Sequence, residues 1–392
     1  MASILIHILC FAVIIFSVGS ASTFFLWLLS QASIVFTDHP SLIFFLPGLG
    51  LVVGLTYTYL GNKIPTQQKL FHQVQENSAF IPIETAFFIF LFTILSQLFG
   101  ASTGREGAAT QFAASIADFY RALLKKINPA SSLSRQAFIR SGLAAGFGAV
   151  FGVPWAGAVF ALEVTPNRKW PFRHLPLCLI SSFSAHWIAL AWGAQHKIYP
   201  PLVSLNWSFW LVLKWMTLGF VFGVTAKIFL VVLNNLELVF SKRISRAWLR
   251  PAIGGVLIVL LTSLVGEYRY NGLGLNLIDA SFNSGIQNFD FALKSIFTIV
   301  SSASGLKGGE ITPLMSIGAS LGFILSTWLA LPTAYAASLG LVGVFASCAH
   351  IQWTGAIMAW ELFGFEAFLP AFVVCWMARK VVGSRGVYVA ID

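Results

Sequence analysis

The sequence predicts an all-α polytopic membrane protein, and three observations carry that prediction. Of 392 residues, 57% are hydrophobic and only 10% charged, where soluble chains run near 25% charged. Mean hydropathy is +0.81, with no stretch that reads as a polar domain or a disordered tail. The apolar runs are continuous rather than alternating, which excludes an outer-membrane barrel. A helix crosses a bilayer with about 20 apolar residues. The chain therefore holds roughly ten or more membrane segments, some too short to cross alone.

The first segment covers 3–30. It begins like a signal peptide, but it lacks a basic n-region and stays apolar to Leu29, so it reads as a membrane helix. Further apolar segments follow at 41–60, 83–99, 111–124, 138–151, 153–164 and 174–194. The second half continues with 206–236, 249–265, 289–300, 313–330, 334–348, 353–364 and 367–378. Gly and Pro interrupt many of them, among them Pro65, Gly104, Gly107, Pro154, Gly309 and Pro313. Broken helices at membrane depth are tolerated where they are buried in protein or line a cavity, and they point to a transport site.

The formal net charge of +10 reflects short basic loops rather than a nucleic-acid surface. Arg121, Lys125, Lys126, Arg135 and Arg140 form one group. Arg168, Lys169 and Arg173 form the next, then Lys242, Arg243, Arg246 and Arg250. The positive-inside bias places these loops in the cytoplasm. Cys10, Cys178, Cys348 and Cys375 lie in apolar surroundings without CxxC spacing, so neither a metal site nor a disulfide framework is expected. The seven histidines include no i,i+4 pair of the kind an intramembrane metal hydrolase uses. No cofactor and no enzymatic activity is expected; an intramembrane acid/base pair is the weaker alternative.

The sequence also resembles itself. Trp155 to Glu163 matches Trp353 to Glu361 at five of nine positions, an offset of 198 residues. More loosely, Ser102 to Glu106 with Ala114-Ser-Ile matches Gly308-Gly-Glu310 with Gly318-Ala-Ser, Glu106 and Glu310 lying 204 apart. Two matches in the same order argue for one transport domain, 1–392, built as two homologous halves of about 1–200 and 201–392. Such transporters bind substrate where the halves meet.

Acids inside membrane segments cost several kcal/mol and are functional candidates by default. Glu84, Glu106, Glu163, Glu310 and Glu361 lie within or at the ends of apolar segments. Glu84 follows Ile81-Pro82-Ile83 and suits a helix start. For Glu163 and Glu361, packing and functional roles stay open. Glu106 and Glu310 each follow a Gly-rich loop and precede a long Ala/Gly/Ser-rich run. A loop entering a helix N-terminus offers unpaired N–H groups and a positive helix end to an anion. A glutamate there can fill the site with its own carboxylate, or leave when protonated, and so serve as gate and proton carrier together. A third loop, Gly61-Asn62-Lys63-Ile64-Pro65, has the same character, with Asn62 offering an amide N–H.

These motifs together resemble the CLC family of anion channels and transporters, over residues from about 60 to 392. Gly104-Arg105-Glu106-Gly107 looks like the family's G-R/K-E-G-P. Gly61 to Pro65 stands where it has G-S-G-I-P, and Gly308-Gly309-Glu310-Ile311-Thr312-Pro313 where it has G-x-F-x-P. Ala156-Gly157 to Glu163 resembles its next helix, and Arg385-Gly-Val-Tyr388 its C-terminal tyrosine segment. The resemblance implies a CLC-type inverted-repeat fold with tilted and broken helices, in a homodimer with one anion pathway per subunit. It implies that Glu106 is the gating glutamate, that Asn62 stands at the central anion-coordinating position, and that Tyr388 is the inner gate. Gly104, Arg105, Gly107, Gly309, Ile311 and Thr312 would surround the anion. No cytosolic regulatory domain is expected.

The departures from the pattern narrow the expectation. The serine is Asn62, the proline after G-R-E-G is Ala108, and the phenylalanine of G-x-F-x-P is Glu310. Val164 falls where chloride/proton exchangers carry their internal proton-transfer glutamate. These substitutions resemble the fluoride-specific branch of the family, whose members exchange fluoride for protons and protect microbes from fluoride. That resemblance implies a fluoride/proton antiporter in a bacterial inner membrane, with Glu310 as a second proton site and Thr312 handling fluoride. A chloride channel or chloride/proton exchanger of the same fold is the alternative. Fluoride is small and strongly hydrated, and an amide with a nearby hydroxyl offsets more of its dehydration than a serine-lined site.

Overall fold

The computed structural model describes residues 2–60, 65, 69–70, 80–129, 133–164, 170–283 and 285–388. Among them are fifteen α-helices and no β-strand. The first seven are α1 (Ala2–Asp38), α2 (Leu46–Leu60), α3 (Ile83–Leu98), α4 (Glu106–Ile127), α5 (Arg135–Phe151), α6 (Pro154–Glu163) and α7 (Leu175–Ala191). Eight follow: α8 (Phe209–Arg243), α9 (Arg250–Val265), α10 (Leu275–Phe282), α11 (Asp290–Ser304), α12 (Ile311–Trp328), α13 (Thr333–Ala349), α14 (Gln352–Phe363) and α15 (Phe368–Val382). Among the described residues, six helical spans are long and apolar enough to cross a bilayer, the longest being Ile4–Asp38 and Phe209–Arg243. The chain is a multi-pass membrane protein.

Element boundaries follow local chemistry. Pro154 starts α6, Pro176 lies in the first turn of α7 and Pro251 in that of α9, where a missing N–H costs nothing. Helix α5 ends at Gly152, which adopts φ +75, the left-handed conformation that closes a helix most cheaply in glycine. Glu84 sits in the first turn of α3, as its position after Pro82 suggests.

Lipid tails provide no hydrophobic drive between helices, so close backbone approach at small residues supplies the cohesion. Gly318 and Gly322 on α12 meet Gly340 and Ala336 on α13: a Cβ at Gly318 would lie 1.9 Å from the Gly340 carbonyl oxygen. Gly142 and Gly146 on α5 press on Ala113 and Ala109 of α4 in the same way, the former at 2.6 Å from the Ala113 carbonyl oxygen. Around these contacts lies a core in which Phe147, Phe160, Phe222, Leu341 and Phe345 are fully buried.

Glu163 and Glu361 resolve into one reciprocal arrangement. The Glu163 carboxylate, at the end of α6, accepts from the backbone N–H of Trp353 (3.0 Å) and Thr354 (2.8 Å) at the start of α14, and from the Thr354 hydroxyl (2.8 Å). The Glu361 carboxylate, near the end of α14, accepts from the N–H of Trp155 (2.9 Å) and Ala156 (2.8 Å) at the start of α6. Each short helix thus caps the other, and the two run antiparallel side by side. Negative charge at a helix N-terminus stabilises it. Of the two roles left open by the sequence, the contacts favour packing.

Candidate functional site

The loops before α4 and α12 meet. Gly104 and Gly309 form an isolated antiparallel bridge: Gly104 N–H donates to the Gly309 carbonyl, and Gly309 N–H to the Gly104 carbonyl at 2.7 Å. Glycine is required on both sides. A Cβ on Gly104 would lie 2.9 Å from both the Gly309 carbonyl oxygen and Pro313 Cδ, and one on Gly309 would lie 2.5 Å from the Gly107 nitrogen. Gly308 adopts φ +149 with Thr103 where a Cβ would sit, 2.4 Å away.

This bridge brings two helix N-termini to one point, and the Glu106 carboxylate occupies it. Glu106 is the first residue of α4 and only 1% exposed. Its Oε2 accepts from the backbone N–H of Arg105 (3.2 Å) and of Thr312 (3.2 Å). The Thr312 hydroxyl donates to the same oxygen. Its Oε1 accepts from Arg105 Nε at 3.0 Å. Two backbone amides at positive helix ends, one hydroxyl and one guanidinium thus converge on a single anionic group, an arrangement chemically suited to holding an anion. Thr110 Oγ1 and Gln111 Nε2 both donate to the Gly107 carbonyl at 3.0 Å, which fixes the first turn of α4.

Glu310 precedes α12 on the other side of Thr312. Its Oε2 is closed off and receives no hydrogen bond among the described residues. It lines a cavity of about 750 Å³ together with Tyr57, Gln111, Glu237, Arg250 and Lys307. Gln111 carries the cavity to the second turn of α4, while Ser241, Ala247 and Arg250 carry it to the basic loop after α8. Val387 lies in its wall, with its N–H bonded to the Cys348 carbonyl at 2.9 Å. The next residue, Tyr388, is buried in the main core cluster.

The structure therefore brings together Gly104, Arg105, Glu106, Gly107, Gly309, Glu310, Ile311 and Thr312. Tyr388 is buried next to Val387, which lines the cavity. Asn62 falls outside the described residues, as do Lys63, Ile64, Arg168 and Lys169. Reading the sequence missed Lys294. This lysine is fully buried on α11, and its Nζ donates to Ser102 Oγ (2.9 Å) and to the carbonyls of Tyr270 (2.9 Å) and Gly272 (2.7 Å). It anchors the loop that leads to Gly104. A lone lysine in the 289–300 segment was its signal. Glu237 and Lys307 were likewise read only as members of the charge count.

Comparison with known proteins agrees with this geometry. The family model described as voltage gated chloride channel matches residues 49–383. A chloride/fluoride channel protein of Pseudomonas syringae pv. tomato is 34% identical over 377 residues, covering 94% of this chain and 82% of its own length. A crystal structure of a CLC-type fluoride/proton antiporter superposes with a TM-score of 0.92 at 32% identity, over 97% of this chain and 96% of that one. A slow cyanobacterial chloride/proton antiporter matches with a TM-score of 0.78 at 18% identity, over 97% and 95% of the two chains, a likeness of fold.

Proposed function

The chain belongs to the voltage-gated chloride channel (CLC) family, and from that premise we propose that it is a fluoride/proton antiporter exporting fluoride across a bacterial inner membrane. One observation carries the reading. The Glu106 carboxylate fills an anion site made of two helix N-termini, and Thr312 joins it to a position beside a second buried carboxyl, Glu310. The likeness to a fluoride/proton antiporter over 97% of the chain supports it.

Glu106 is the gate in this proposal. Ionised, its carboxylate competes with fluoride for the amides of Arg105 and Thr312. Protonated, it loses charge-assisted hydrogen bonds of about 1.5–3 kcal/mol each and swings away, admitting fluoride and carrying a proton. Fluoride forms short, strong hydrogen bonds, so the Thr312 hydroxyl and the Asn62 amide replace more of its hydration than a serine alone. Glu310 takes up the proton on the cavity side, in place of the glutamate whose position Val164 holds. Arg105 and the backbone around Gly104, Gly107, Gly309 and Ile311 hold the anion, and Tyr388 closes the inner end. The matching order of helices around the two bridged loops supports duplicated halves. Homodimerisation, with one pathway per protomer, belongs to the same proposal.

The test is efflux from proteoliposomes containing Glu310→Gln. Fluoride export driven by a proton gradient should collapse in this variant. If it stays coupled at the wild-type rate, Glu310 has no part in proton transfer.

A further inference from the structure

Between Glu310 and the cytoplasmic end of α8, the cavity wall holds a second acid. Helix α8 is 35 residues long and apolar, yet it presents Asn234, Glu237 and Ser241 to the cavity. Their i, i+3, i+7 spacing puts all three on one helical face, running toward Lys242 and Arg243 in the last turn. An acid in a membrane-crossing helix is expensive and marks an ion or proton path by default. Glu237 is half-buried and takes part in no ion pair among the described residues.

The surrounding charges complete the picture. Lys307 lies in the same wall, its Nζ 3.7 Å from the centre of the Tyr57 ring. Arg250 is committed to the end of α8, donating to the carbonyls of Ser241 and Ile244 at 3.2 Å each. Glu310 is the other acid facing this space, its Oε2 without a donor. About 750 Å³ is room for several waters, since each occupies roughly 30 Å³ of liquid volume. Two carboxyls, one near the basic mouth and one beside the anion site, thus share a cavity able to hold a water chain, with one ammonium to offset their charge.

We propose that Glu237 is the proton relay on the cytoplasmic side, passing protons through cavity water to and from Glu310. The transfer breaks and forms only O–H bonds. Glu237 takes a proton from bulk water, a water chain moves it inward, and the Glu310 carboxylate receives it while Glu237 returns to carboxylate. This inference rests on the fluoride/proton antiport reading.

The experiment measures fluoride and proton fluxes together in proteoliposomes for wild type, Glu237→Gln and Glu237→Asp. In Glu237→Gln, proton-coupled turnover should fall by roughly a hundredfold, the low end of what a positioned proton-transfer group contributes. Glu237→Asp keeps a titratable group and should recover most of the rate. Wild-type turnover and coupling in Glu237→Gln would overturn the relay. So would a Glu237→Asp variant as slow as Glu237→Gln, since shape rather than titration would then matter. A wild-type protein that fails to move fluoride uphill on a proton gradient would instead overturn the antiport reading itself.

Discussion

Replacing Glu361 by Gln should weaken the fold without abolishing proton coupling. The Glu361 carboxylate accepts one N–H on each oxygen, from Trp155 and Ala156. A glutamine keeps one acceptor oxygen and turns an NH2 donor toward the other N–H. One charge-assisted hydrogen bond worth about 1.5–3 kcal/mol is lost, and the second is weakened. The attraction between the carboxylate and the start of α6 disappears as well, at about 0.3–1 kcal/mol. The expected loss is about 2–4 kcal/mol, by these two terms. Glu163→Gln should lie at the upper end, because the Thr354 hydroxyl donates to that carboxylate in addition to two amides. Equilibrium SDS unfolding in bicelles reads the stability, and paired fluoride and pH electrodes read the coupling. If either variant kept wild-type stability and lost its proton coupling, that carboxylate would belong to the proton path, and the capping argument would be wrong.

Three further outcomes follow from the site. Glu106→Gln removes the titrating carboxyl from the anion site and should uncouple fluoride movement from protons; a pH electrode recording that still shows fluoride-linked proton flux would remove Glu106 from the gate. Lys294→Met leaves the carbonyls of Tyr270 and Gly272 without their Lys294 donor. It should lower the melting free energy by about 1–3 kcal/mol, and an unchanged melt would show that the buried ammonium anchors nothing. Thr312→Val keeps the volume but deletes the hydroxyl that donates to Glu106. Fluoride binding by titration calorimetry should weaken by roughly tenfold, the equivalent of about 1.4 kcal/mol, and unaltered affinity would exclude the hydroxyl from the anion site.

The class and the placement of Glu106 and Glu310 were legible in the sequence, because membrane burial leaves a coarse signature. Long apolar runs gave α1 and α8, and the two Gly-rich loops before acids gave Glu106 and Glu310 their place at helix N-termini. The repeat of Trp155–Glu163 in Trp353–Glu361 was visible, but its consequence was not. That the glutamate of each copy caps the helix of the other depends on antiparallel packing 198 residues apart, which no local pattern encodes. The small-residue spacings of Gly142 with Gly146 and of Gly318 with Gly322 are present in the sequence but were not read as helix contacts, and which helix each meets needed the fold. Lys294 and Glu237 were hidden for another reason. A single charge in an apolar run gives no indication of whether it faces lipid, a carbonyl cluster or a cavity until its neighbours are in place.

The central claim, a fluoride site gated by Glu106, is tested most directly by efflux from proteoliposomes holding the wild-type protein, with fluoride and chloride electrodes read in parallel under an imposed pH gradient. Fluoride should leave far faster than chloride and should move uphill when the proton gradient drives it. Chloride moving as fast as fluoride, or fluoride flux indifferent to the proton gradient, would contradict the account.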